Sequence, residues 1–152
     1  MSEQDYDHFF EVTVSEYAAE NVHAGYWNAV DASERSRKEL LKLLVDGVRT
    51  KGHRLYTVHD YGSGLAIGHV WIKVEEGLGG RTGFIYAIYL EPDFRGRGFG
   101  KATMRALDLE AGRLGLRALA LHVFFANKVA LHLYESSGYQ TRSLNMVKEY
   151  PR

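Results

Sequence analysis

The stretch that organises this sequence runs from residue 84 to residue 101 and reads FIYAIYL, then EPDF, then RGRGFGK. Its first part, Phe84 to Leu90, is apolar and aromatic, which predicts a buried strand. After Glu91 to Phe94, the last part begins a helix that is predicted over about 99–114. The segment therefore predicts a strand that leads through a glycine- and arginine-rich loop into a helix N-terminus.

This loop has the chemistry of an anion site. Glycines let the backbone approach a ligand closely, and successive N–H groups together with the helix dipole favour negative charge. Arg95, Arg97 and Lys101 add charge-assisted hydrogen bonds, each worth about 1.5–3 kcal/mol. A P-loop is excluded because position 95 is Arg and Ala102 replaces the magnesium-binding Ser or Thr. The dinucleotide fingerprint is excluded as well, because the glycines read G-x-G-x-G and no βαβ unit follows. A pyrophosphate suits the loop best.

Hydrophobic periodicity predicts the other elements. Helices are predicted over 4–24, 31–46 and 127–137, and strands over 54–59, 65–75, 83–90, 117–124 and 139–149. Residues 9–14 could alternatively form a short strand, and Asp31 with Glu34 resembles a capping box for the second helix. The order ααβββαβαβ predicts one α/β (α+β) domain over residues 1–152, with a mixed sheet and helices on both sides.

Composition narrows the function classes. The 152 residues include 19 basic and 19 acidic side chains and no cysteine. A disulfide framework, a thiolate nucleophile and a Cys-ligated metal are thereby excluded, and His122 and His132 lack any metal motif, so no metal is expected. Zero net charge argues against a nucleic-acid or membrane-surface partner. The polar N-terminus and the lack of a long apolar run predict a cytoplasmic protein without a secretory signal.

The zero net charge is a cancellation. Residues 1–80 hold 13 acidic and 8 basic side chains, whereas residues 81–152 hold 6 and 11. The basic half contains the arginine-rich loop. In the acidic half, carboxylates and aromatic rings cluster near the end of the first predicted helix, namely Glu11, Glu16, Glu20, His23, Tyr26 and Trp27. Such a cluster suits a cationic amine such as a polyamine, an aminoglycoside or a lysine-like group, or it is simply a solvated helix face.

Two motifs together carry a family resemblance. Arg95 to Gly100 resembles the Q/R-x-x-G-x-G/A acyl-CoA pyrophosphate loop of the GNAT superfamily of N-acetyltransferases. Residues 127–139, with Asn127, Ala130, LYE at 133–135 and GY at 138–139, resemble its N-x-x-A-x-x-L-Y-E-x-x-G-F segment. YAAENV at 17–22 and GHVWI at 68–72 resemble a bacterial subgroup of largely uncharacterised members.

The resemblance implies a mixed, mostly antiparallel sheet flanked by helices, with a V-shaped opening between the central strands where pantetheine lies. Residues 1–8 are too polar for the strand with which the family usually begins. We therefore expect that strand to be missing, which leaves an edge for the N-terminus or a partner subunit, as in a homodimer, to cover. The implied co-substrate is acetyl-CoA.

Site residues follow from the same resemblance. The backbone of Ile88, Tyr89 and Leu90 would bind pantetheine and polarise the thioester. The loop residues Arg95, Gly96, Arg97, Gly98, Phe99, Gly100 and Lys101 would hold the pyrophosphate. Asn127 and Ala130 would contact the cofactor, although an Asn there also suits a helix N-cap. Tyr134 would donate a proton to the leaving thiolate, or it is a core-edge aromatic residue; a phenol of pKa ~10 suits a thiolate of pKa ~8.5.

The base and the acceptor stay open. Related sequences often carry an acid on the strand before the loop, where this chain has Ala87 and Tyr89. A water chain, His69, Glu75 or solvent remains for deprotonation. The main hypothesis is an N-acetyltransferase that moves an acetyl group from acetyl-CoA to a primary amine by direct attack, since no cysteine is available for an acyl-enzyme. The alternatives are a non-catalytic acyl-CoA sensor of the same fold and, more distantly, a polyanion binder.

Overall fold

Two helices precede the sheet. The computed structural model describes residues 1–151, in which α1 spans Glu3–His23 and α2 spans Ala32–Leu43. Both predicted helices are confirmed, although α2 ends earlier than expected and a 3₁₀ turn, Gly47–Arg49, follows it. The alternative strand at 9–14 is wrong, because these residues belong to the uninterrupted helix α1.

The sheet has four strands in the order β1-β2-β3-β4. They are β1 His53–His59, β2 Ala66–Gly77, β3 Gly80–Leu90 and β4 Ala118–Leu121. The first two pairings are antiparallel and the third is parallel, which requires a crossover element. That element is α3, Phe99–Arg113, preceded by a 3₁₀ turn at Pro92–Phe94. The predicted mixed, mostly antiparallel sheet flanked by helices is confirmed.

A last helix, α4, spans Lys128–Ser136 and follows β4. The predicted helix over 127–137 is thereby confirmed. None of the helices in the described part of the chain is long and apolar enough to cross a membrane.

The expected absence of a first strand is confirmed, and the N-terminus lies against the exposed edge of β1. The ammonium group of Met1 donates to the carbonyl oxygen of Leu55 at 3.0 Å, and the hydroxyl of Thr57 donates to the carboxylate of Asp5 at 3.3 Å. The start of α1 thus occupies part of the edge that a preceding strand would cover.

Two hydrophobic cores lie on opposite faces of the sheet, because successive strand residues point to opposite sides. Trp71 on β2 packs against α1 and α2, together with Phe9, Phe10, Val14, Leu40, Leu44 and Leu55. The neighbouring Ile72 packs on the other face with α3, together with Val70, Ile85, Met104 and Leu107. The sheet is therefore buried on both sides, which holds its middle strands rigidly between helices.

Two local predictions are wrong. Asp31 forms no side-chain cap on α2, whereas the carboxylate of Asp5 and the hydroxyl of Ser2 form a capping box at the start of α1. Residues 139–149 form no strand, and the apolar side chains in and just after this segment are exposed: Leu144, Met146, Val147 and Tyr150. Their alternation gives strand propensity, but a strand also needs an edge to pair with, and this segment makes no ladder.

Candidate active site

Strand β3 continues beyond the end of its pairing with β4. The two strands pair only between Thr82–Ile85 and Ala118–Leu121, so β4 is shorter than the predicted 117–124. Near the same point Tyr86 has no partner on β2, because Trp71 pairs with Ala87 and Ile72 pairs with Ile85. Such a bulge bends a strand and redirects its side chains. The expected opening is present, but it lies between β3 and the edge strand β4 and not between two central strands.

A cavity of about 460 Å³ occupies this opening. On the β3 side it is lined by residues 85–89, and on the other side by Leu121, His122 and Phe124. Helix α1 contributes Thr13, Glu16, Tyr17, Glu20 and Asn21, and α4 contributes Tyr134. Because α1 packs on one face of the sheet and Tyr134 on the other, the cavity connects the two faces through the gap between the strands.

The loop between β3 and α3 presents a row of free backbone donors. Gly96 and Gly98 have φ of +68° and +87°, in the left-handed region that glycine adopts readily. Gly98 is the N-cap of α3 and forms no side-chain cap. Within residues 1–151, none of the six backbone N–H groups from Gly96 to Lys101 has a hydrogen-bond acceptor. Consecutive free N–H groups at a helix N-terminus form a site for an anion.

The loop arginines are fixed in place by contacts within the loop. Nε of Arg95 donates to the carbonyl oxygen of Leu90 at 2.8 Å, and its guanidinium lies 5.2 Å from the centre of the Tyr89 ring. Arg97 donates to the carbonyl oxygen of Asp93 at 3.2 Å. Lys101 is exposed. These contacts leave other guanidinium N–H groups available to a ligand.

Asn127 acts as a helix cap in this structure. Its side-chain oxygen accepts a hydrogen bond from the backbone N–H of Ala130 at 3.2 Å, at the start of α4. Neither residue lines the cavity. The structure thus accounts for Asn127 through capping, and its contact with a cofactor stays a prediction.

Tyr134 lies in the cavity as the sequence predicts. Its side chain is half-buried, and its hydroxyl has no partner within the described residues. Burial, and to a lesser degree the nearby carboxylate of Glu20, raises the pKa of Tyr134 above its usual value. The phenol is therefore protonated at neutral pH and able to donate.

His69 is 4% exposed, and its hydrogen bonds define its protonation. The hydroxyl of Thr13 donates to the carbonyl oxygen of Phe9 at 2.7 Å, so its oxygen must accept from Nε2–H of His69 at 3.3 Å. The lone pair is then on Nδ1, which has no protein partner. No buried side-chain nitrogen or oxygen in residues 1–151 lacks a partner, so Nδ1 is accessible to solvent, and His69 is among the residues that line the cavity. Burial lowers the pKa of His69 to about 4, which keeps the ring neutral.

Of the predicted carboxylates, two lie at the cavity and two do not. Glu16 and Glu20 line it, and neither has a hydrogen-bond or ion-pair partner within residues 1–151. Burial and the charge of Glu16 raise the pKa of Glu20. Glu11 forms an ion pair with Arg37 at 2.6 Å outside the cavity. Glu75 pairs with a lysine at 2.6 Å and is exposed, so His69 is the residue among the named base candidates that reaches the cavity.

Some of the cavity residues were not assigned to the site from the sequence. Thr13 and Asn21 lie in the first helix, His122 follows β4, and Asn145 comes from the irregular C-terminal segment. Helical spacing puts four of the lining residues on one side of the first helix, namely Thr13, Glu16, Glu20 and Asn21. Nothing in the sequence indicated that this side of the helix faces the opening in the sheet. No set of three or more His, Asp or Glu residues in the described chain is arranged to hold a metal ion.

Comparison with known proteins agrees with this geometry. The model of the acetyltransferase (GNAT) family matches residues 17–139, which include most of the cavity lining, the loop and Tyr134. The chain belongs to the GNAT family. This GNAT chain is 34% identical over 149 residues to the uncharacterized N-acetyltransferase YycN of Bacillus subtilis (strain 168), covering 98% of the chain and 95% of that protein.

Further similarities cover the whole chain or part of it. The crystal structure of YycN from Bacillus subtilis matches the GNAT chain with a TM-score of 0.94 at 33% identity, covering 100% of this chain and 96% of that one. A mycothiol acetyltransferase of Beutenbergia cavernae is 41% identical over 86 residues, which is 56% of this chain and 28% of that protein. The fold and the family are thus shared with acetyltransferases.

Proposed function

We propose that this protein is an N-acetyltransferase that moves an acetyl group from acetyl-CoA to a primary amine by direct attack. The observation that carries the proposal is the run of six free N–H groups from Gly96 to Lys101, placed at the end of the strand that lines the cavity. The family membership of the chain and the names of its relatives support the same activity.

In this proposal the loop holds the pyrophosphate of the cofactor. The six N–H groups lie in the first turn of α3 and just before it, where the helix dipole adds to their attraction for an anion. Arg95, Arg97 and Lys101 supply positive charge around it. The pantetheine arm then follows Ile88, Tyr89 and Leu90 into the gap between the strands, with the N-cap of α4 and Ala130 alongside.

The chemistry takes place beside Tyr134. The neutral amine attacks the thioester carbonyl, and free backbone groups on β3 stabilise the oxyanion that forms. As the intermediate collapses, the carbon–sulfur bond breaks and the phenol of Tyr134 gives its proton to the thiolate. Since the phenol is protonated at neutral pH, the donor is present in every turnover.

Binding tests the loop directly. We expect acetyl-CoA to bind with a Kd at least about 100-fold lower than that of S-acetylpantetheine, which lacks the pyrophosphate; this corresponds to roughly 3 kcal/mol. Lys101→Ala should weaken binding of acetyl-CoA but not of S-acetylpantetheine. Arg105→Ala, an exposed cation one turn further along α3, is the matched control. Equal affinities for the two thioesters would contradict the pyrophosphate site.

A thiol-release assay decides between catalysis and sensing. One observation favours a non-catalytic acyl-CoA sensor, namely that β3 presents Ala87 and Tyr89 to the cavity and no carboxylate. If acetyl-CoA binds but a broad panel of amines and peptides releases no coenzyme A, the sensor is the correct function. Release that depends on the amine and on Tyr134 establishes the transferase.

A further inference from the structure

The α1 side of the cavity offers hydrogen-bond acceptors and negative charge. Glu16 and Glu20 supply its two carboxylates without a protein partner, whereas the third, Glu39 of α2, accepts from Tyr17 and lies 3.5 Å from Arg35. No Lys or Arg of the described chain lines the cavity. Tyr17 donates its hydroxyl proton to Glu39 at 3.0 Å, so the oxygen of Tyr17 is left as an acceptor. A guest at this end must therefore bring N–H or O–H donors and positive charge.

Two almost fully buried side chains point to the same kind of guest. Asn21 is 7% exposed, and its Nδ2 donates to the carbonyl oxygen of Tyr17 at 2.8 Å, while Oδ1 has no protein partner. Nδ1 of His69, which is 4% exposed, is in the same situation. No buried side-chain oxygen or nitrogen in residues 1–151 is left unsatisfied, so both atoms are accessible to solvent, and both residues line the cavity. Both are acceptors, and they are independent of the two carboxylates.

The carboxylates themselves lack a cation. Glu16 and Glu20 are four residues apart on α1, so their side chains are neighbours on one face and repel each other. That repulsion, added to burial, raises the pKa of Glu20. An ammonium group between the two carboxylates removes the repulsion. It also offsets the effect by which Glu20 raises the pKa of Tyr134, and so makes the phenol a stronger acid when the guest is present.

Resting on the proposed function, we propose that the acceptor is a small aliphatic diamine or polyamine, with one ammonium group between Glu16 and Glu20 and its reacting nitrogen at Nδ1 of His69. The cavity of about 460 Å³ must also hold the acetylated end of the cofactor, which favours a slender chain over a bulky polycyclic amine or a folded protein surface.

The proton balance of the step uses two residues. As the nitrogen–carbon bond forms, the nitrogen becomes cationic and transfers its proton to Nδ1 of His69, while Tyr134 gives its proton to the departing sulfur. The products are an amide and a thiol. The imidazolium then loses its proton to water and the tyrosinate regains one, which restores the starting state.

Calorimetric titration with matched amines tests this acceptor class. The probes are 1,4-diaminobutane and 1-aminobutane, titrated into the protein loaded with coenzyme A and into the free protein. We expect the diamine to bind at least about tenfold more tightly, because its second ammonium meets two carboxylates. The double variant Glu16→Gln/Glu20→Gln should abolish the preference. Glu11→Gln, which lies on the same helix but outside the cavity, should keep it.

Every outcome of the titration decides the proposal. Equal affinities, a preference that survives in the double variant, or no binding of either amine overturns it. Failure of the cofactor to bind would instead count against the proposed function, and the titration of the free protein would still decide the acceptor class. Circular dichroism of each variant shows whether the fold is retained, and the charge-conserving variant Glu20→Asp should keep part of the preference.

Discussion

The hydroxyl of Thr13 on α1 lies 3.3 Å from Nε2 of His69 on β2 and donates its own proton to the carbonyl oxygen of Phe9. This contact between the first helix and the sheet determines which imidazole nitrogen carries the proton. The free nitrogen, Nδ1, is consequently available in the cavity. Thr13, which takes no part in the proposed chemistry, thus determines the tautomer of His69, the histidine of β2 that lines the cavity.

Thr13→Val should destabilise the protein and allow the ring proton of His69 to occupy either nitrogen. The valine keeps the volume but removes the acceptor of a buried N–H, which costs about 1–3 kcal/mol in the free energy of unfolding. Urea denaturation measures that loss, and nitrogen NMR of the histidine ring reports the tautomer. Thr13→Ser retains the hydroxyl and should preserve Nε2 protonation. An unchanged ring spectrum in Thr13→Val would contradict this role.

His69 should make the protein less stable as the pH falls below about 6.5. The pKa of its imidazole is about 4 in the folded protein against ~6.5 when unfolded, so between these values the unfolded state binds more protons. The contribution of the neutral ring to the free energy of unfolding is fully present above about pH 6.5 and decreases by roughly 3 kcal/mol as the pH falls to 4. Urea unfolding across this range measures the slope.

The comparison with His69→Gln isolates this effect from other titrating groups. His53, whose pKa burial also lowers, adds a slope of the same sign and remains in the variant. The difference in unfolding free energy between the wild type and His69→Gln should therefore become smaller at acidic pH. If the difference in unfolding free energy were constant from pH 7 to pH 4, the pKa of His69 would be the same in the folded and unfolded states, which would contradict the prediction.

His69→Ala should lower kcat for amine acetylation, with recovery on addition of imidazole. Proton transfer by a positioned base contributes about 10²–10⁴-fold, and the truncated side chain leaves space for imidazole beside the cavity. The rates are measured with 1,4-diaminobutane as the acceptor. A separate binding measurement should show that the Kd of acetyl-CoA is unchanged. A purely structural role would give a loss that imidazole leaves unaffected.

Tyr134→Phe should reduce kcat by about 10²–10⁴-fold while acetyl-CoA binding is retained, because the change removes the proton donor and little else. Tyr139→Phe is the matched control, since the ring of Tyr139 packs 6.0 Å from that of Tyr134 but does not line the cavity. Coenzyme A release, followed with a thiol reagent, measures both variants. Equal effects of the two changes would argue against an acid role for Tyr134.

Gly98→Ala should weaken acetyl-CoA binding. The φ of Gly98 is +87°, which costs an alanine about 1–2 kcal/mol even though no atom lies within 4 Å of the added methyl group. The strain is relieved by rotation of the loop, which disperses the free N–H groups. Gly112→Ala, exposed in the last turn of the same helix, should instead stabilise the fold by up to about 1 kcal/mol. Calorimetry and thermal unfolding separate the two effects.

Local patterns predicted most of the elements correctly. The strand that ends at Leu90 was predicted from a continuous apolar run, although it begins at Gly80, earlier than expected. The helix that begins at Phe99 formed where predicted, because it has a clear period and Gly115 after its end. The same reasoning failed for residues 139–149 and for the cap at Asp31. A strand exists only if another strand offers its hydrogen-bonding edge, and a cap forms only if the backbone at that residue takes the required angles.

By itself, the sequence determined the family, the order of the main elements and the glycine-rich turn before α3, because these depend on short motifs whose glycines and charges act on their own backbone. Only the tertiary structure decided which acidic residues face the cavity and which pair elsewhere, as Glu20 and Glu11 show. It likewise decided that His69 is buried, neutral and open at Nδ1. Burial and the distance between residues far apart in the chain produce these properties, and neither is encoded in local spacing.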